Sequence, residues 1–293
     1  MKPILTYLFA IILMLPFISC ETDLMEEEHY KKIIYLKSGD NNIFDYPHMM
    51  NDSITTGYIT VGSGGSMPLT EDLTVSLEMD YEALQSYNYR NYGEELGKYA
   101  QLLSQNRYVI PSFNARIKAG EPSATAFIPI EIDVNGLSPD STYMLPFRIK
   151  SAEDVELNDT KNFVLYRIQL GNIYSSFNSR TYKMKGTKQP EGAVISNITT
   201  NKVLLPLSYN QVRMFPENLT SSSTLDVINS TAIVLVINSD NTVRIKPYKS
   251  LEIEQLEDCS YDSEEKKFSI NYKYRRQGDI RWTVVSETLT RLE

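Results

Sequence analysis

Residues 73–79 read Leu-Thr-Val-Ser-Leu-Glu-Met, a strict alternation of apolar and polar side chains. Successive side chains on a β-strand point to opposite faces, so this segment predicts a strand with one face in a core. Similar runs recur between residues 33 and 170, separated by turn residues such as Asn135-Gly136. About seven or eight strands over about 140 residues predict an immunoglobulin-like β-sandwich. The predicted strands are Ile33–Lys37, Gly57–Val61, Leu73–Asp80, Tyr108–Ile110, Phe113–Lys118, Ala124–Ile132, Tyr143–Ile149 and Phe163–Leu170.

One segment of this half, Tyr81–Gln105, does not alternate. Its apolar residues recur at helical spacing, which predicts a helix inserted in the sandwich. Gly93 and Gly97 each weaken such a helix by about 1 kcal/mol, so packing must hold it in place. The predicted apolar stripe is Tyr89, Tyr92, Leu96, Tyr99 and Leu103.

The second half repeats the strand rhythm with no helical segment. Hairpin-linked strands with one apolar face predict an antiparallel up-and-down β-barrel of calycin-like form, because closure removes exposed strand edges. The alternation Phe268, Ile270, Tyr272, Tyr274 predicts core positions, and so does Ile280, Trp282, Val284. The predicted strands are Arg180–Lys185, Ala193–Ile198, Lys202–Leu207, Val212–Phe215, Thr231–Ile237, Thr242–Lys246, Leu251–Leu256, Lys267–Tyr274 and Ile280–Glu287.

The amino terminus has the pattern of a targeting segment. Lys2 precedes the uncharged run Ile4–Ile18, which is shorter than the roughly twenty residues that span a bilayer. Ser19-Cys20 then resembles a bacterial lipobox, which implies a signal peptide over residues 1–19 and lipid on Cys20. Lipid chains anchor a protein to a membrane without spanning it. The alternative is a plain secretory signal.

An acidic tether is predicted over residues 20–30, and it resembles the signal that takes Bacteroidetes lipoproteins to the cell exterior. A solvated linker is the alternative interpretation of the same residues. With Cys20 lipidated, Cys259 would have no partner for an internal disulfide.

Composition and residue placement narrow the function classes. A formal net charge of −8 argues against a nucleic-acid binder, which needs a basic surface. His29 lies in the tether, His48 in a predicted loop, and Cys259 far from both, so we predict no catalytic residue, metal site or cofactor. Carboxylates such as Glu252 and Glu254 alternate with apolar residues, as on the outer face of a strand. We therefore predict a protein that is not an enzyme. A glycan-active enzyme would need two carboxylates that face each other across a cleft.

Several strand and turn motifs together resemble one family of proteins. They are Ile34–Leu36, Ser38–Tyr46, Tyr108–Pro111, Ile117–Gly120, Gly136–Tyr143, Val164–Tyr166, Tyr182–Thr187 and Trp282–Thr290. The family comprises Bacteroidetes cell-surface lipoproteins of unknown function that pair an immunoglobulin-like N-terminal domain with a C-terminal β-barrel. The resemblance covers almost all of the mature chain and implies an architecture without catalytic roles. It also implies a setting, because such proteins are often encoded beside glycan uptake systems of the starch-utilisation type. The predicted domains are residues 31–172 and 173–293.

Tyrosines supply the candidate ligand site. Sugar rings stack on flat aromatic side chains while polar groups bind their hydroxyls, and the densest such mixture is Tyr87, Asn88, Tyr89, Arg90 and Tyr92. Tyr87 lies off the apolar stripe and is predicted to be the exposed member. The barrel mouth, with the loop Asn210–Ser223, is a second candidate location.

The predicted function is that of an outer-membrane lipoprotein that faces the exterior and binds or presents glycan beside uptake proteins. The alternative is a cell-adhesion or protein-interaction module, in which the same tyrosines form a protein hot spot. A concave platform rimmed by amides would favour sugar, whereas a flatter patch with an apolar centre would favour protein.

Overall fold

The computed structural model describes residues 30–51, 54–120, 124–153, 155–175, 182–222 and 224–292. The predicted signal peptide, Cys20 and the tether up to residue 29 lie outside the described residues. No helix in the described ranges is long and apolar enough to cross a membrane.

The first half folds as two facing sheets. The first has the strand order β10-β1-β3-β8-β6, and the second has the order β2-β11-β9-β4-β7, with β5 added beside β9. Leu73, Val75 and Leu77 are buried between the sheets, which confirms the alternation from which the fold was predicted. The strands are β1 (Ile33–Leu36), β2 (Ile43–Met49), β3 (Thr55–Gly64), β4 (Leu73–Met79), β5 (Gln101–Leu102), β6 (Tyr108–Val109), β7 (Asn114–Ile117), β8 (Thr125–Ile132), β9 (Tyr143–Ser151), β10 (Glu156–Leu157) and β11 (Phe163–Gly171).

Strand β2 was not predicted, and its presence corrects the placement of His48. The strand pairs in parallel with β11, and His48 lies opposite Leu170 in that register. The prediction that His48 lies in a loop is therefore wrong, because the imidazole is buried between the sheets.

The predicted helix is real but ends early. Helix α1 (Tyr81–Tyr92) begins after Asp80, whose Oδ1 accepts a hydrogen bond from the Ala83 amide at 3.1 Å, a typical N-cap. It ends at Gly93, whose φ of 54° and ψ of −123° suit glycine and stop the helix. Two 3₁₀ turns, Leu96–Lys98 and Gln105–Arg107, replace the rest of the predicted helix up to Gln105.

The second half forms a curled antiparallel sheet in which the first strand, β12, pairs with the last, β21. Strand β13 pairs with β12 and its continuation β14 pairs with β15, so one bent strand joins the two ends. Segments β18 and β19 likewise share the partner β20, so the ten segments make eight strands of a barrel. They are β12 (Tyr182–Pro190), β13 (Ser196–Lys202), β14 (Leu205–Ser208), β15 (Gln211–Met214), β16 (Ile233–Ile237), β17 (Thr242–Pro247), β18 (Glu252–Gln255), β19 (Cys259–Asp262), β20 (Lys267–Arg275) and β21 (Thr283–Arg291).

The all-β prediction, a sandwich followed by an antiparallel barrel, is confirmed, with two corrections. A short helix, α2 (Leu225–Thr231), interrupts the second half and packs Ile228 against Phe215. The predicted core face of the last strand is also wrong, because Ile280 is 88% exposed and Trp282 is only half-buried. The Trp282 ring instead contacts two cations, with Lys273 Nζ and Arg275 Cζ each 4.7 Å from its centroid.

The two halves meet along one seam. Arg213 on β15 donates to both carboxylate oxygens of Asp140, in the β8–β9 loop, at 2.5 and 2.6 Å. Asn172 Nδ2 donates to the carbonyls of Ser208 and Gln211 at 2.7 and 3.1 Å. The domain limit at residues 172 and 173 stays a prediction. It falls in the connection between β11, which ends at Gly171, and β12, which begins at Tyr182.

Candidate functional site

Two of the five predicted site residues lie on the buried face of α1. Tyr87 is 7% exposed and packs with Leu84 against Met144 and Leu165, so the prediction that it is exposed is wrong. Asn88 is 5% exposed, and its amide exchanges two hydrogen bonds with the Ala100 backbone, at 2.8 and 2.9 Å. Both residues fix the helix to the sandwich.

The other three predicted residues point elsewhere. Tyr89 is 64% exposed and Arg90 is also exposed, and neither lines the two clefts described below. Tyr92 is half-buried and lines the cleft between the two halves. The predicted cluster is therefore not one site, and Tyr92 is its member in the candidate site.

The cleft has a volume of about 710 Å³, within the range of about 300–1,000 Å³ typical of ligand pockets. One wall is aromatic: the rings of Tyr92 and Tyr99 lie 6.4 Å apart at an angle of 38°. The Tyr99 hydroxyl donates to the Gly93 carbonyl at 2.7 Å, so the turn that ends α1 also orients this wall. Leu225 and Ile228 of α2 line the cleft from the barrel side.

Polar side chains line the rest of the cleft and continue into a second one. Gln101, Ser141 and Thr142 line the first cleft, and Ser141 and Thr142 also line a neighbour of about 420 Å³. The neighbour lies between Arg167 and Gln169 of β11 and Leu205 of β14. We call the two together the seam groove.

The charged side chains along the seam groove have partners within the chain. Arg167 and Gln169 both donate to Asp45, and the Arg167 hydrogen bond lowers the pKa of that carboxyl. Lys98 Nζ lies 2.6 Å from a carboxylate oxygen of Glu95. Asp140 lines the first cleft and is held by Arg213, as described above.

A second group of polar residues lies inside the barrel. Tyr272 donates to Glu287 Oε1 at 2.7 Å, and Lys202 Nζ lies 3.5 Å from Glu287 Oε2. Burial raises the pKa of Glu287 and of Tyr272 and lowers that of Lys202. Such shifts mark candidate active sites. Here, however, the Lys202 and Glu287 side chains are almost fully enclosed.

The loop after β15 closes the barrel over this group. Lys202 donates to the Phe215 carbonyl, while Lys188 and Tyr274 bind the Glu217 carboxylate at 2.8 and 2.6 Å. The loop Asn210–Ser223, predicted to line an open mouth, thus has Phe215 and Glu217 bound to barrel residues. Ser223 itself lies outside the described residues.

The residues of the groove and the barrel interior that were not predicted differ in how much signal the sequence carries for them. Glu287 could have been found, because it is in phase with the apolar Val285 and Leu289 on its strand. Tyr99 carried a signal as a member of the predicted stripe. The sequence around Ser141 and Thr142 predicts only a turn, and no sequence pattern indicates that they lie near Leu225. In the part of the chain that the structure describes, no three His, Cys, Asp or Glu side chains gather as metal ligands.

These features define a two-domain all-β protein with a ligand-sized groove along its domain seam. A family model for an N-terminal domain matches residues 30–156, and a model for a C-terminal domain matches residues 162–290. Each half of the chain therefore resembles its own domain model. The C-terminal model includes β11, which pairs with sandwich strands in the structure. No curated protein matches the chain.

Solved structures from Bacteroides share the fold. A Bacteroides ovatus protein of unknown function gives a TM-score of 0.67 at 16% identity, over 88% of this chain and 94% of the other. A B. ovatus multidomain protein including DUF1735 gives 0.66 at 15% identity, with the same coverage of both chains. An auxiliary nutrient binding protein from Bacteroides thetaiotaomicron gives 0.57 at 15% identity, over 86% of this chain and 92% of the other. The similarity to Bacteroides two-domain β proteins that the motifs implied is confirmed.

Proposed function

We propose that the protein is a lipid-anchored, non-enzymatic protein of the outer membrane that binds glycan in the seam groove, beside a polysaccharide uptake system. The observation that supports this most directly is the wall formed by Tyr92 and Tyr99 beside Gln101, Ser141 and Thr142. The B. thetaiotaomicron protein of the same fold is a nutrient-binding protein, which fits this function.

The chemistry of the groove suits a sugar. Tyrosine rings offer flat apolar faces for the C–H side of a pyranose, and hydroxyl and amide groups can exchange hydrogen bonds with its hydroxyls. The groove also lies between two domains, where ligand sites are common. By the criterion of shape, a concave site with a polar rim favours sugar over protein.

The non-enzymatic part of the proposal rests on where the carboxylates are. Asp140 accepts two hydrogen bonds from Arg213, and Asp45 is bound to Arg167 and Gln169. Glu217 and Glu287 are buried in the barrel. A glycosidase needs one carboxyl group to give a proton and another to act on the opposite side of the bond. We expect no reducing sugar to be released from any glycan that the protein binds.

The test is a glycan array probed with residues 21–293, which include all the residues that the structure describes. Tyr92→Ala removes half of the aromatic wall, and we expect it to weaken binding by about tenfold to a hundredfold, by analogy with the roughly 1–3 kcal/mol that an aromatic side chain contributes to stacking a nucleic-acid base. Tyr89→Ala, on the same helix but outside the groove, is the matched control and should bind as the unaltered protein does. Gln101→Ala tests the polar rim at an exposed position.

Each outcome has a clear meaning. A blank array with a folded protein would overturn the glycan proposal. If Tyr92→Ala and Tyr89→Ala lost glycan binding equally, the binding site would lie outside the groove. Because Tyr92 also packs against Tyr87, the melting temperature of each variant separates lost binding from lost folding.

The anchor is tested at Cys20. We expect the full chain to incorporate labelled palmitate in a bacterial host and Cys20→Ser to lose the label while the protein is still exported. Protease added to intact cells should digest the anchored protein if it faces the exterior. Label retained in Cys20→Ser would exclude lipidation at this residue.

A second candidate function, protein interaction, is favoured by a different surface. Tyr58 and Phe127 lie on the outer faces of β3 and β8, 41% and 59% exposed, with ring centroids 6.1 Å apart. Val109 on the neighbouring β6 is also exposed, so the outer face of this sheet carries three exposed apolar side chains. Loss of an envelope partner in Tyr58→Ser/Phe127→Ser, with glycan binding unchanged, would support it.

A further inference from the structure

We infer that the seam groove selects neutral oligosaccharides and rejects those that carry carboxylate or sulfate groups. This inference rests on the proposed function and specifies its class of ligand. It follows from the way the charges along the groove are paired.

The cations that line the groove already have anionic partners. Arg167 uses its Nε and one terminal nitrogen for Asp45, and Gln169 Nε2 donates to the same carboxylate at 2.7 Å. Lys98 is paired with Glu95. Arg213 is not one of the lining residues, and its guanidinium is buried against Asp140 and over the Tyr248 ring, 4.8 Å from its centroid.

An anionic ligand would meet two obstacles in this setting. Charge-assisted hydrogen bonds to a carboxylate or sulfate need cationic donors that are free, as in sites built from unpaired arginines. The ligand would also have to compete with Asp45 or Glu95 for its cation, and the displaced carboxylate would remain as a like charge. The formal net charge of −8 adds long-range repulsion.

A neutral sugar needs none of these cations. Gln101 Nε2 and the Ser141 hydroxyl lie 3.4 Å apart, a long contact that a ligand hydroxyl could replace. Thr142 adds a hydroxyl that both parts of the groove share. These groups and the two tyrosine rings recognise shape and hydroxyl groups rather than charge.

The experiment compares ligands that differ chiefly in charge. The soluble form, residues 21–293, is measured by calorimetry against neutral and acidic oligosaccharides, including one backbone in its fully methyl-esterified and free uronate forms. We expect binding to the neutral members, with an affinity that changes less than about twofold between about 0.05 and 0.5 M salt, because screening acts on charged pairs.

Two variants make the comparison sharper. Glu95→Gln leaves Lys98 without its partner, and we expect the affinity for the free uronate form to rise roughly two- to fivefold, as an exposed charge contact allows. Glu94→Gln removes the same charge one residue away without freeing Lys98, so it should leave the preference unchanged. Preference of the unaltered protein for acidic sugars would overturn this inference and leave the proposed function intact. Failure to bind any glycan would overturn both.

Discussion

At the scale of single residues, His48 makes the stability of the sandwich depend on pH. Its Nδ1 and Nε2 lie 2.8 Å from Thr55 Oγ1 and from the Tyr166 hydroxyl, respectively. Since the Thr55 hydroxyl donates to the Ile132 carbonyl, Nδ1–H must donate to Thr55, and Nε2 accepts from Tyr166. Burial lowers the pKa of this imidazole from 6.5 to about 4.

We predict that the free energy of unfolding falls between about pH 6.5 and pH 4. In that range the unfolded chain binds a proton at His48 and the folded protein does not, so acid favours unfolding. The full loss in the free energy of unfolding is about 3 kcal/mol, and none of it is present above about pH 6.5, where His48 is neutral in both states. Urea unfolding at a series of pH values measures it. Over the same pH range, the free energy of unfolding of His48→Asn should fall by about 3 kcal/mol less than that of the unaltered protein. An equal fall in both proteins would exclude His48 as the source.

A second residue-scale prediction concerns the buried pair Lys202 and Glu287. Lys202→Met leaves a buried carboxylate without its ion pair, so we expect the free energy of unfolding to fall by about 3–5 kcal/mol. Lys202→Met combined with Glu287→Gln removes both charges and should recover a large part of that loss. Thermal and urea unfolding of the single and double variants give the coupling energy. Additive losses would mean that the two groups do not act as a pair.

At the scale of elements, the two sheets of the sandwich approach closely where β3 passes β11. A Cβ atom built on Gly57 would lie 1.8 Å from the Tyr166 hydroxyl oxygen, so no other side chain fits without movement. We predict that Gly57→Ala destabilises the protein by about 1–3 kcal/mol, the usual cost of overpacking a core. In a Tyr166→Phe background the added cost should be smaller, because the clashing oxygen is gone. Gly97→Ala, where no atom lies within 4 Å of the new Cβ, is the control for chemical denaturation.

Two strands show how far an alternating sequence pattern predicts which face of a strand is buried. Leu73, Val75 and Leu77 have polar neighbours on both sides, so the alternation identifies one buried face, and the structure confirms it. In the last strand, Val284 and Val285 are adjacent and both apolar. A shift of one residue exchanges the two faces of a strand, and the wrong face, with Trp282, was predicted to be buried. The pair itself leaves the choice open, whereas the later residues Val285, Glu287 and Leu289 share the face that is buried in the structure.

At the scale of the whole molecule, the seam groove exists because two domains dock. The walls of its first cleft come from residues 92–101, 138–142 and 222–228, which belong to three separate parts of the chain. The sequence predicted Tyr92 as a site residue from local composition, but the partners of Tyr92 depend on domain packing. The Asp140–Arg213 pair crosses the seam, and Arg213 Nε is buried with no hydrogen-bond partner among the described residues. The docking geometry therefore depends strongly on Asp140.

We predict that Asp140→Asn uncouples the domains. It leaves the Arg213 guanidinium buried without a counterion, at a cost of about 2–5 kcal/mol, whereas docking is otherwise held by contacts such as those of Asn172. Calorimetry should resolve two unfolding transitions where the unaltered chain shows one, and glycan binding should weaken because the aromatic and aliphatic walls separate. Asp133→Asn breaks the Arg107–Asp133 pair within the sandwich and should do neither. If Asp140→Asn kept one transition and lost binding, Asp140 would act on the ligand itself. Unchanged binding with two transitions would mean that the sandwich wall alone holds the sugar.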